Sequence, residues 1–488
     1  MTTSSVSTTD TEDAAPTTSV TSTVSPQPAV TNGPSRAPGE ARPAARGRPD
    51  APPRRTAAIS GPRAGADRLR RLLETGDADL LRASWSRLTE PADLAPTALM
   101  TALGPVHATR WLLEEALDAD GAPRSAPRPP LPPRGDAAAA SAWWARAAGR
   151  WAPRLDGLDV RREIDVLEHL GGTLLVPGDE TWPVGLDELE QPPHCLWLRG
   201  DPWALTGRDR SGAAPAAGGL GAGQLLALVG ARDSSPYGER VASMTARELV
   251  ERGAVVVSGG AYGIDAAAHR GALSAPTGAG RAAGTTVAVS AGGVDRLYPA
   301  GNADLLRAVI EAGALVAEVP PGSQPARHRF LTRNRLIAAL AGATVVVEAA
   351  WRSGALSTAR HARDLGRPLG AVPGPVTSMG SVGCHRLLRE GAVCVTDAAE
   401  ALELVLPLGA TDPDAAKAAD PALAGFGLLD GLDGDAAAAL DAMPARGSAT
   451  PESLARAAGL SVREATAALG LLELAGRVRS DGGRWRRA

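Results

Sequence analysis

Short apolar runs alternate with helical segments between about residues 155 and 406. Several runs are apolar at every position, which is typical of strands that are buried on both faces. The alternation predicts an α/β fold in which helices cover both sides of a parallel sheet, an extended Rossmann-like domain. The predicted strands are Thr173–Val176, Cys195–Arg199, Leu226–Gly230, Ala254–Ser258, Thr286–Ser290, Ala314–Val319, Thr344–Glu348 and Leu369–Val372. The predicted helices are Gly238–Arg252, Ala303–Ala312, Asn334–Ala341 and Ala355–Leu365.

The region upstream of this domain divides into three parts. Residues 1–62 contain almost no large apolar side chains, so they cannot offset their ordering entropy and are predicted to be a disordered tail. Residues 63–118 carry leucines and tryptophans at helical spacing, which predicts a small helical bundle. The Gly104-Pro105 turn before a helix is typical of a helix-hairpin-helix, although one copy is weak evidence. Residues 119–154 are predicted to be a linker and a short Trp-containing helix.

The C-terminal region is predicted to be a separate module. An acidic linker at 407–434 precedes three helical segments and a Gly- and Arg-rich end at 435–488. Pro451 would occupy the first position of the second helix, where its missing N–H costs nothing. Ser461 and Glu464 have the spacing of a capping box for the third helix. Three helices followed by a short hairpin predict a winged helix.

Composition excludes several classes of protein. The 488 residues have a formal charge of −3, so any contact with nucleic acid must come from local basic patches. The sequence has no apolar run of about 18–20 residues and no signal-peptide pattern, so we expect a cytoplasmic protein without a membrane span. The three cysteines lack the spacing of a metal site. We therefore expect no metal and no cofactor.

Three glycine-rich turns follow predicted strands, at 230–232, 258–263 and 290–294. Glycines allow backbone N–H groups to approach a phosphate, and a following helix N-terminus favours negative charge. Open α/β sheets bind their ligands at the carboxyl ends of the strands, so three such turns predict a phosphate-binding groove. For any one turn alone, a sharp bend without a ligand is the better interpretation. The residues assigned to this groove are Gly230, Arg232, Ser258, Gly259, Gly260 and Gly263.

A basic stretch with one aromatic residue occupies positions 327–335, where a loop is predicted to enter a helix. Arginines neutralise phosphates, and an aromatic ring that stacks on a base contributes about 1–3 kcal/mol. The stretch therefore favours single-stranded nucleic acid as the ligand. In the alternative, Phe330 belongs to the hydrophobic core and Arg333 to an internal ion pair. The residues assigned to the groove are Arg329, Phe330, Arg333, Asn334 and Arg335.

Enzymatic alternatives fit less well. The sole lysine, Lys417, lies in the linker, so there is no Walker lysine, and no dinucleotide fingerprint follows a strand. Asp265 and His269 are four residues apart and could form an acid–base pair, but capping and hydrogen bonding within the fold explain them better. A nucleotide-binding enzyme on the same sheet, of the nucleoside-phosphate glycosidase type, is the alternative function.

Several motifs together resemble one family, the DNA-processing protein A family (DprA, also called Smf). They are LALVGAR, SGGAYGIDAAAH, VAVSAGGVDRLYP, FLTRNRLIAAL and VVVEA followed by SGALSTA, all within residues 155–405. The resemblance implies a protein that binds single-stranded DNA without being an enzyme. It also implies that the protein displaces single-strand-binding protein from DNA, loads the RecA recombinase during natural transformation and recombination, and works as a homodimer.

By resemblance, Arg232, the 259–263 turn and the arginines around Phe330 line the DNA groove. The winged helix is expected to be an accessory module, because its third helix has a nearly neutral face that lacks the side chains for reading a duplex. The sequence departs from the family pattern at several positions. Ala231 replaces the usual serine, and Leu331 stands where proline is common. The Cys384-His385 pair replaces a small residue followed by asparagine, so a DNA contact there is in doubt.

Overall fold

The structure is a computed structural model that describes residues 61–131, 136–207, 224–276, 286–406, 434–444, 448–474 and 477–487. Apart from their end residues, the predicted tail at 1–62 and the linker at 407–434 lie outside these ranges. None of the helices in the described ranges is both long and apolar enough to cross a bilayer.

The described residues form fifteen α-helices and eleven β-strands. The helices are α1 (Pro62–Thr75), α2 (Ala78–Leu88), α3 (Leu94–Trp111), α4 (Ala137–Trp151), α5 (Val160–His169), α6 (Pro236–Glu251), α7 (Ile264–Ser274), α8 (Ala303–Ala312), α9 (Arg327–Leu340), α10 (Ala355–Asp364), α11 (Val382–Arg389), α12 (Ala398–Glu403), α13 (Gly434–Asp441), α14 (Pro451–Ala458) and α15 (Val462–Leu474). The strands are β1 (Gly172–Leu175), β2 (Leu196–Gly200), β3 (Leu225–Gly230), β4 (Val255–Ser258), β5 (Thr286–Ser290), β6 (Ala314–Ala317), β7 (Ala343–Glu348), β8 (Leu369–Ala371), β9 (Val393–Cys394), β10 (Val478–Asp481) and β11 (Arg484–Arg487).

Nine strands form one sheet in the order β1-β2-β6-β5-β4-β3-β7-β8-β9. The seven strands from β6 to β9 pair in parallel, which confirms the predicted α/β fold. The first two strands differ from the prediction, because β1 and β2 are antiparallel to their neighbours. The connection between them, residues 176–195, contains a short 3₁₀ turn, Val184–Leu186, and no α-helix, whereas parallel neighbours are usually joined through an α-helix.

The chain reverses its direction of travel across the sheet next to β3. From β3 it adds β4, β5 and β6 on one side, and it then returns to place β7, β8 and β9 on the other side. The register between β3 and β7 shifts at Val229/Gly230, where Gly230 faces Glu348. Such a reversal opens a crevice at the carboxyl ends of the two central strands.

The N-terminal helices pack on this sheet and share a core with it. Leu69 of α1 and Trp85 of α2 belong to the same cluster of buried residues as Trp197 of β2 and Val309 of α8. The Trp197 indole also donates a hydrogen bond to Ser86 Oγ at 3.1 Å. The region is therefore continuous with the sheet in its packing, whereas the domain boundaries remain predictions.

The last three helices and the β10–β11 hairpin enclose a core of their own, which includes Leu454, Leu469 and Val478. Pro451 begins α14 as predicted. Ser461 and Glu464 form the predicted capping box, with reciprocal hydrogen bonds of 2.8 Å and 3.2 Å. The C-terminal winged helix is confirmed.

Candidate nucleic-acid interface

The three glycine-rich turns lie at one edge of the sheet, as predicted. They follow β3, β4 and β5, and these strands pair in parallel, so their carboxyl ends point the same way. The turn after β4 has two glycines in the left-handed region, Gly260 at φ 67° and Gly263 at φ 75°. Because L-residues rarely adopt this conformation, the backbone path at this edge depends on glycine.

A cleft of about 710 Å³ opens where β3 and β7 lie side by side. The loop after β3 forms one wall, the first turns of α9 a second, and the loop after β7 with the start of α10 a third. Its charged lining consists of four arginines and two aspartates, so the cleft has a net positive lining. These residues are Arg232, Arg327, Arg333, Arg352, Asp233 and Asp265.

Arg333 lies at the bottom of the cleft and is buried. A Cβ at Gly259 would stand 1.6 Å from the Arg333 Nη1 atom, so the guanidinium fits there only because position 259 is glycine. The Nε and Nη1 atoms of Arg333 have no hydrogen-bond partner among the described residues. Burial lowers the pKa of Arg333 to about 10, against the opposing effect of Asp265, so the side chain is charged at neutral pH.

Arg232 and Phe330 contact each other above Arg333 at the mouth of the cleft. The Arg232 guanidinium carbon is 4.8 Å from the centre of the Phe330 ring, and the Tyr298 ring is 5.7 Å from the same ring. Arg232 and Tyr298 are exposed, and Phe330 is partly exposed. The alternative in which Phe330 belongs to the hydrophobic core is therefore wrong. Together these side chains form a cationic and aromatic surface.

The other two arginines predicted for the groove point elsewhere. Arg335 is buried, and its Nη2 atom donates to both carboxylate oxygens of Glu318 at 2.5 Å and 2.7 Å. Arg329 donates from Nε and Nη2 to the two oxygens of Glu90, each at 2.9 Å. Neither lines the cleft. The internal ion pair proposed for Arg333 is thus made by Arg335. The two residues are two positions apart, so they project from different faces of a helix with 3.6 residues per turn.

Of the remaining residues predicted for the groove, some line the cleft and others support its walls. Gly230 and Asn334 line the cleft, and Asn334 Nδ2 donates to the Gly354 carbonyl at 3.2 Å, which ties α9 to the start of α10. Ser258 is fully buried and donates to the Leu228 carbonyl at 2.7 Å, so it is structural and does not face a ligand. Gly259, Gly260 and Gly263 also do not line the cleft, and they shape its floor.

The acid–base pair considered for Asp265 and His269 is absent. His269 is fully buried, its Nδ1 atom lies 2.8 Å from Thr286 Oγ1, and burial lowers its pKa to about 3. The structural role favoured for it is confirmed. Asp265 lies in the first turn of α7 and accepts a hydrogen bond from the Ala261 N–H at 3.4 Å. Asp265 was predicted to cap this helix, but the N-cap residue is Gly263. The described residues contain no group of three or more His, Cys, Asp or Glu that could hold a metal ion.

Two basic residues of the cleft were not among those assigned to the groove from the sequence, although Arg327 belongs to the basic stretch at 327–335. Arg327 begins α9, which starts there and not at Asn334 as predicted. Arg352 follows β7, directly before the Ser353-Gly354 start of α10. The signal for Arg352 was its place after the strand that pairs with β3 on the far side, since loops on both sides of the reversal meet at the crevice.

Two family models match this chain. Residues 216–406 match DNA recombination-mediator protein A, and residues 415–484 match the DprA winged helix domain. The putative DNA processing protein DprA of Mycobacterium tuberculosis (strain ATCC 25618 / H37Rv) is 44% identical over 344 residues, which are 67% of this chain and 81% of that protein. The chain belongs to the DNA processing protein A family. The resemblance seen in the sequence is confirmed, and it assigns the chain to DNA binding and DNA processing.

Other members of the DNA processing protein A family match shorter parts of the chain. Protein Smf of Escherichia coli (strain K12) is 40% identical over 223 residues, which are 44% of this chain and 58% of that protein. The structure of DNA processing protein A from Streptococcus pneumoniae has a TM-score of 0.44 at 30% identity and covers 52% of this chain and 81% of that one. A structure of the Helicobacter pylori protein, described for its single-stranded DNA binding mode, has a TM-score of 0.40 at 28% identity and covers 48% of this chain and 95% of that one.

Proposed function

We propose that the cleft between β3 and β7 binds single-stranded DNA and that the protein loads the RecA recombinase onto that strand during natural transformation and recombination. The observation that carries the proposal is Arg333, a buried cation that lines the cleft, makes no salt bridge among the described residues and has two N–H donors without an acceptor. The nearby Asp265 carboxyl acts on this cation only through space, and a buried cation that no salt bridge holds is costly. A phosphate oxygen would supply both the charge and the acceptors.

The surroundings of Arg333 favour a single strand over a duplex. Arg232 and Phe330 present a guanidinium and a ring face side by side at the mouth of the cleft. Stacking on a ring requires an unpaired base, and arginines beside the ring neutralise the backbone of the same strand. In a duplex the bases are paired and stacked within the helix, so Phe330 would have no base to contact.

The rest of the proposal follows from membership in the family. We expect the protein to displace single-strand-binding protein, to act as a homodimer in the cytoplasm, and to catalyse no reaction. In support of the last point, His269 is buried away from the cleft, so the pair that suggested an enzyme is not available to a ligand. A nucleoside-phosphate glycosidase would require turnover of mononucleotides, and that assay separates the alternative from the proposal.

The proposal is tested by salt-titrated binding of single-stranded DNA, duplex DNA and mononucleotides. Arg232→Ala should weaken binding of the single strand and reduce the slope of log affinity against log salt by about 0.7, the value for one phosphate contact. Phe330→Ala should cost about 1–3 kcal/mol of binding free energy and leave the slope unchanged. Arg110→Ala, an exposed arginine on α3, is the matched control and should change neither.

Folded Arg232→Ala and Phe330→Ala variants that bind single strands as well as the parent at every salt concentration would remove the cleft from the binding site. A parent protein that prefers duplex DNA or mononucleotides would contradict the proposed ligand. The recombinase step is tested separately, by measuring RecA filament formation on DNA covered by single-strand-binding protein. We expect the parent to accelerate it and the Arg232→Ala variant to do so less.

A further inference from the structure

The aromatic residues of this chain are distributed unevenly. It has two phenylalanines, three tyrosines and ten tryptophans in 488 residues. All three tyrosines, Tyr237, Tyr262 and Tyr298, follow β3, β4 and β5 at the carboxyl edge of the sheet and are 47–50% exposed. Most tryptophans in the described part of the chain are buried instead, namely Trp85, Trp111, Trp144, Trp151, Trp182 and Trp197.

Trp351 departs from the other described tryptophans in both location and exposure. It follows β7 at the same sheet edge and is 54% exposed, whereas Trp143, the next most exposed, is 39% exposed. Single exposed apolar residues are ordinary on a protein surface. Here, however, an aromatic-poor chain places an exposed aromatic after each of β3, β4, β5 and β7, which form the carboxyl edge beside the cleft.

One arginine lies over the Trp351 ring, and another follows Trp351 in the chain. The guanidinium carbon of Arg386, on α11, lies 5.4 Å from the ring centre, and Arg386 Nε is held by Glu390 at 2.7 Å. Arg352, the next residue along the chain, lines the cleft. The arrangement of an aromatic ring beside arginines thus occurs twice, once at Phe330 with Arg232 and once at Trp351 with Arg386.

The two arrangements stand on opposite sides of the cleft. Phe330 contacts Tyr298, which follows β5, whereas Trp351 follows β7 and contacts α11, which itself packs on β7 and β8. In the sheet order β5-β4-β3-β7-β8, the turn after β3 and its Arg232 lie between them. A single strand of DNA that is bound at Phe330 and continues past Arg333 and Arg352 would therefore reach Trp351.

We propose that Trp351, backed by Arg386, is a second base-stacking site, so that one single strand crosses the cleft from Phe330 to Trp351. This inference rests on the proposed function and adds a path and a footprint to it. Base stacking on an exposed ring is tolerant of sequence, and a guanidinium over the ring holds it in place for the base. Arg352 would take the phosphate between the two stacked bases.

The inference predicts how affinity depends on the length of the DNA. We would measure binding of oligothymidylates from about 4 to 16 nucleotides, the range that single-strand-binding folds occupy. Trp351→Ala should weaken binding of the long oligonucleotides by about 5- to 150-fold, because it removes one stacked base, and should leave the shortest bound oligonucleotide unaffected. Trp351→Phe should restore most of the loss, and Trp143→Ala, an exposed tryptophan on α4, should bind like the parent.

A fluorescent base analogue, 2-aminopurine, placed at successive positions reports stacking directly. The parent should quench it at two separated positions, Phe330→Ala should abolish one of these signals, and Trp351→Ala the other. Equal affinity of the parent and Trp351→Ala at every length, with both quenched positions retained, would overturn the inference while leaving the proposed function intact. A change of oligomeric state in Trp351→Ala with unchanged DNA binding would overturn it too, since the ring would then serve a protein interface. Failure of the parent to bind single strands at all would overturn both proposals.

Discussion

Helix α9 carries arginines of two kinds, those held in ion pairs and those that face the cleft. Arg335 and Arg329 each face a carboxylate, Glu318 or Glu90, and do not line the cleft. Arg333 is buried at the cleft without an ion pair among the described residues. Both Arg333 and Arg335 have Nε and Nη1 atoms without an acceptor in the described part of the chain, so the ion pair is what separates the two residues. The comparison shows that partners decide the role of an arginine. Four of the nine residues at 327–335 are arginines, but that number alone does not measure affinity for DNA.

The largest effect is expected for an arginine held in an ion pair. Arg335→Leu should destabilise the protein by about 3–5 kcal/mol, because it leaves the Glu318 carboxylate buried without a partner. Urea unfolding measures this loss. The double variant Arg335→Leu/Glu318→Leu should recover most of it, since an apolar pair can replace a buried ion pair. If Arg335→Leu is as stable as the parent and binds single strands less well, Arg335 is a DNA-binding residue and not a structural one.

Glu90→Gln should have the next largest effect, about 1.5–3 kcal/mol at neutral pH. Burial would raise the pKa of Glu90, but hydrogen bonds from Arg329, Arg154 and His328 outweigh it and lower the pKa to about 2. A lowered carboxyl pKa stabilises the fold above the unfolded value of about 4.5, and that stabilisation is lost as the pH falls toward 2. The difference between variant and parent should therefore shrink from pH 5 downward, as followed by urea unfolding at each pH. Glu114→Gln, at an exposed position, is the control and should show no such dependence.

Arg333→Met should destabilise the protein less than Arg335→Leu does, because Arg333 makes no salt bridge among the described residues and interacts with the buried Asp265 only through space. The same variant should lose affinity for single strands and flatten the salt dependence by about 0.7. Thermal unfolding and salt-titrated binding measure the two properties on one preparation. A large loss of stability with binding lost only in proportion would place Arg333 with the structural arginines.

Removing the winged helix after residue 406 should have the smallest effect, a change in single-strand affinity of about threefold or less. Its α15 exposes only Arg463 as a basic side chain, beside Glu464 and Glu473, so it lacks the cationic and amide groups that read a duplex. Fluorescence anisotropy with a labelled oligonucleotide measures the change. A collapse of single-strand binding would move the principal site from the cleft to the C-terminal module.

Local patterns in the sequence predicted much of the fold. Val255–Ser258 is buried at every position because helices cover both faces of the sheet, and that is why its uninterrupted apolar run predicted a parallel strand. The starts of α14 and α15 were also predicted correctly, because helix-capping signals involve residues that are at most three positions apart in the sequence. The early start of α9 was missed because its cap position, Ala326, has no side-chain hydrogen bond to signal it.

The partners of the arginines could not be predicted in the same way. Glu90 is 239 positions from Arg329 in the sequence, and only the packing of the N-terminal helices brings them together. Glu318 directly follows β6, whereas Arg335 lies on α9. Their ion pair therefore depends on the orientation of the helix over the sheet. By contrast, Arg232 at the cleft mouth could be predicted, because open α/β sheets bind ligands at the carboxyl ends of their strands. The same rule identifies Arg352 once the order of the strands is known.

The shared core of the N-terminal helices and the sheet limits how the molecule can be divided. A fragment confined to residues 216–406 would lack β1 and β2, and β6 would become an open edge with unpaired backbone groups. Val309 and Leu315 would lose the tryptophans and leucines that cover them. An exposed strand edge beside an uncovered apolar face favours association between copies. We therefore expect such a fragment to precipitate, and its insolubility would say nothing about its capacity to bind DNA.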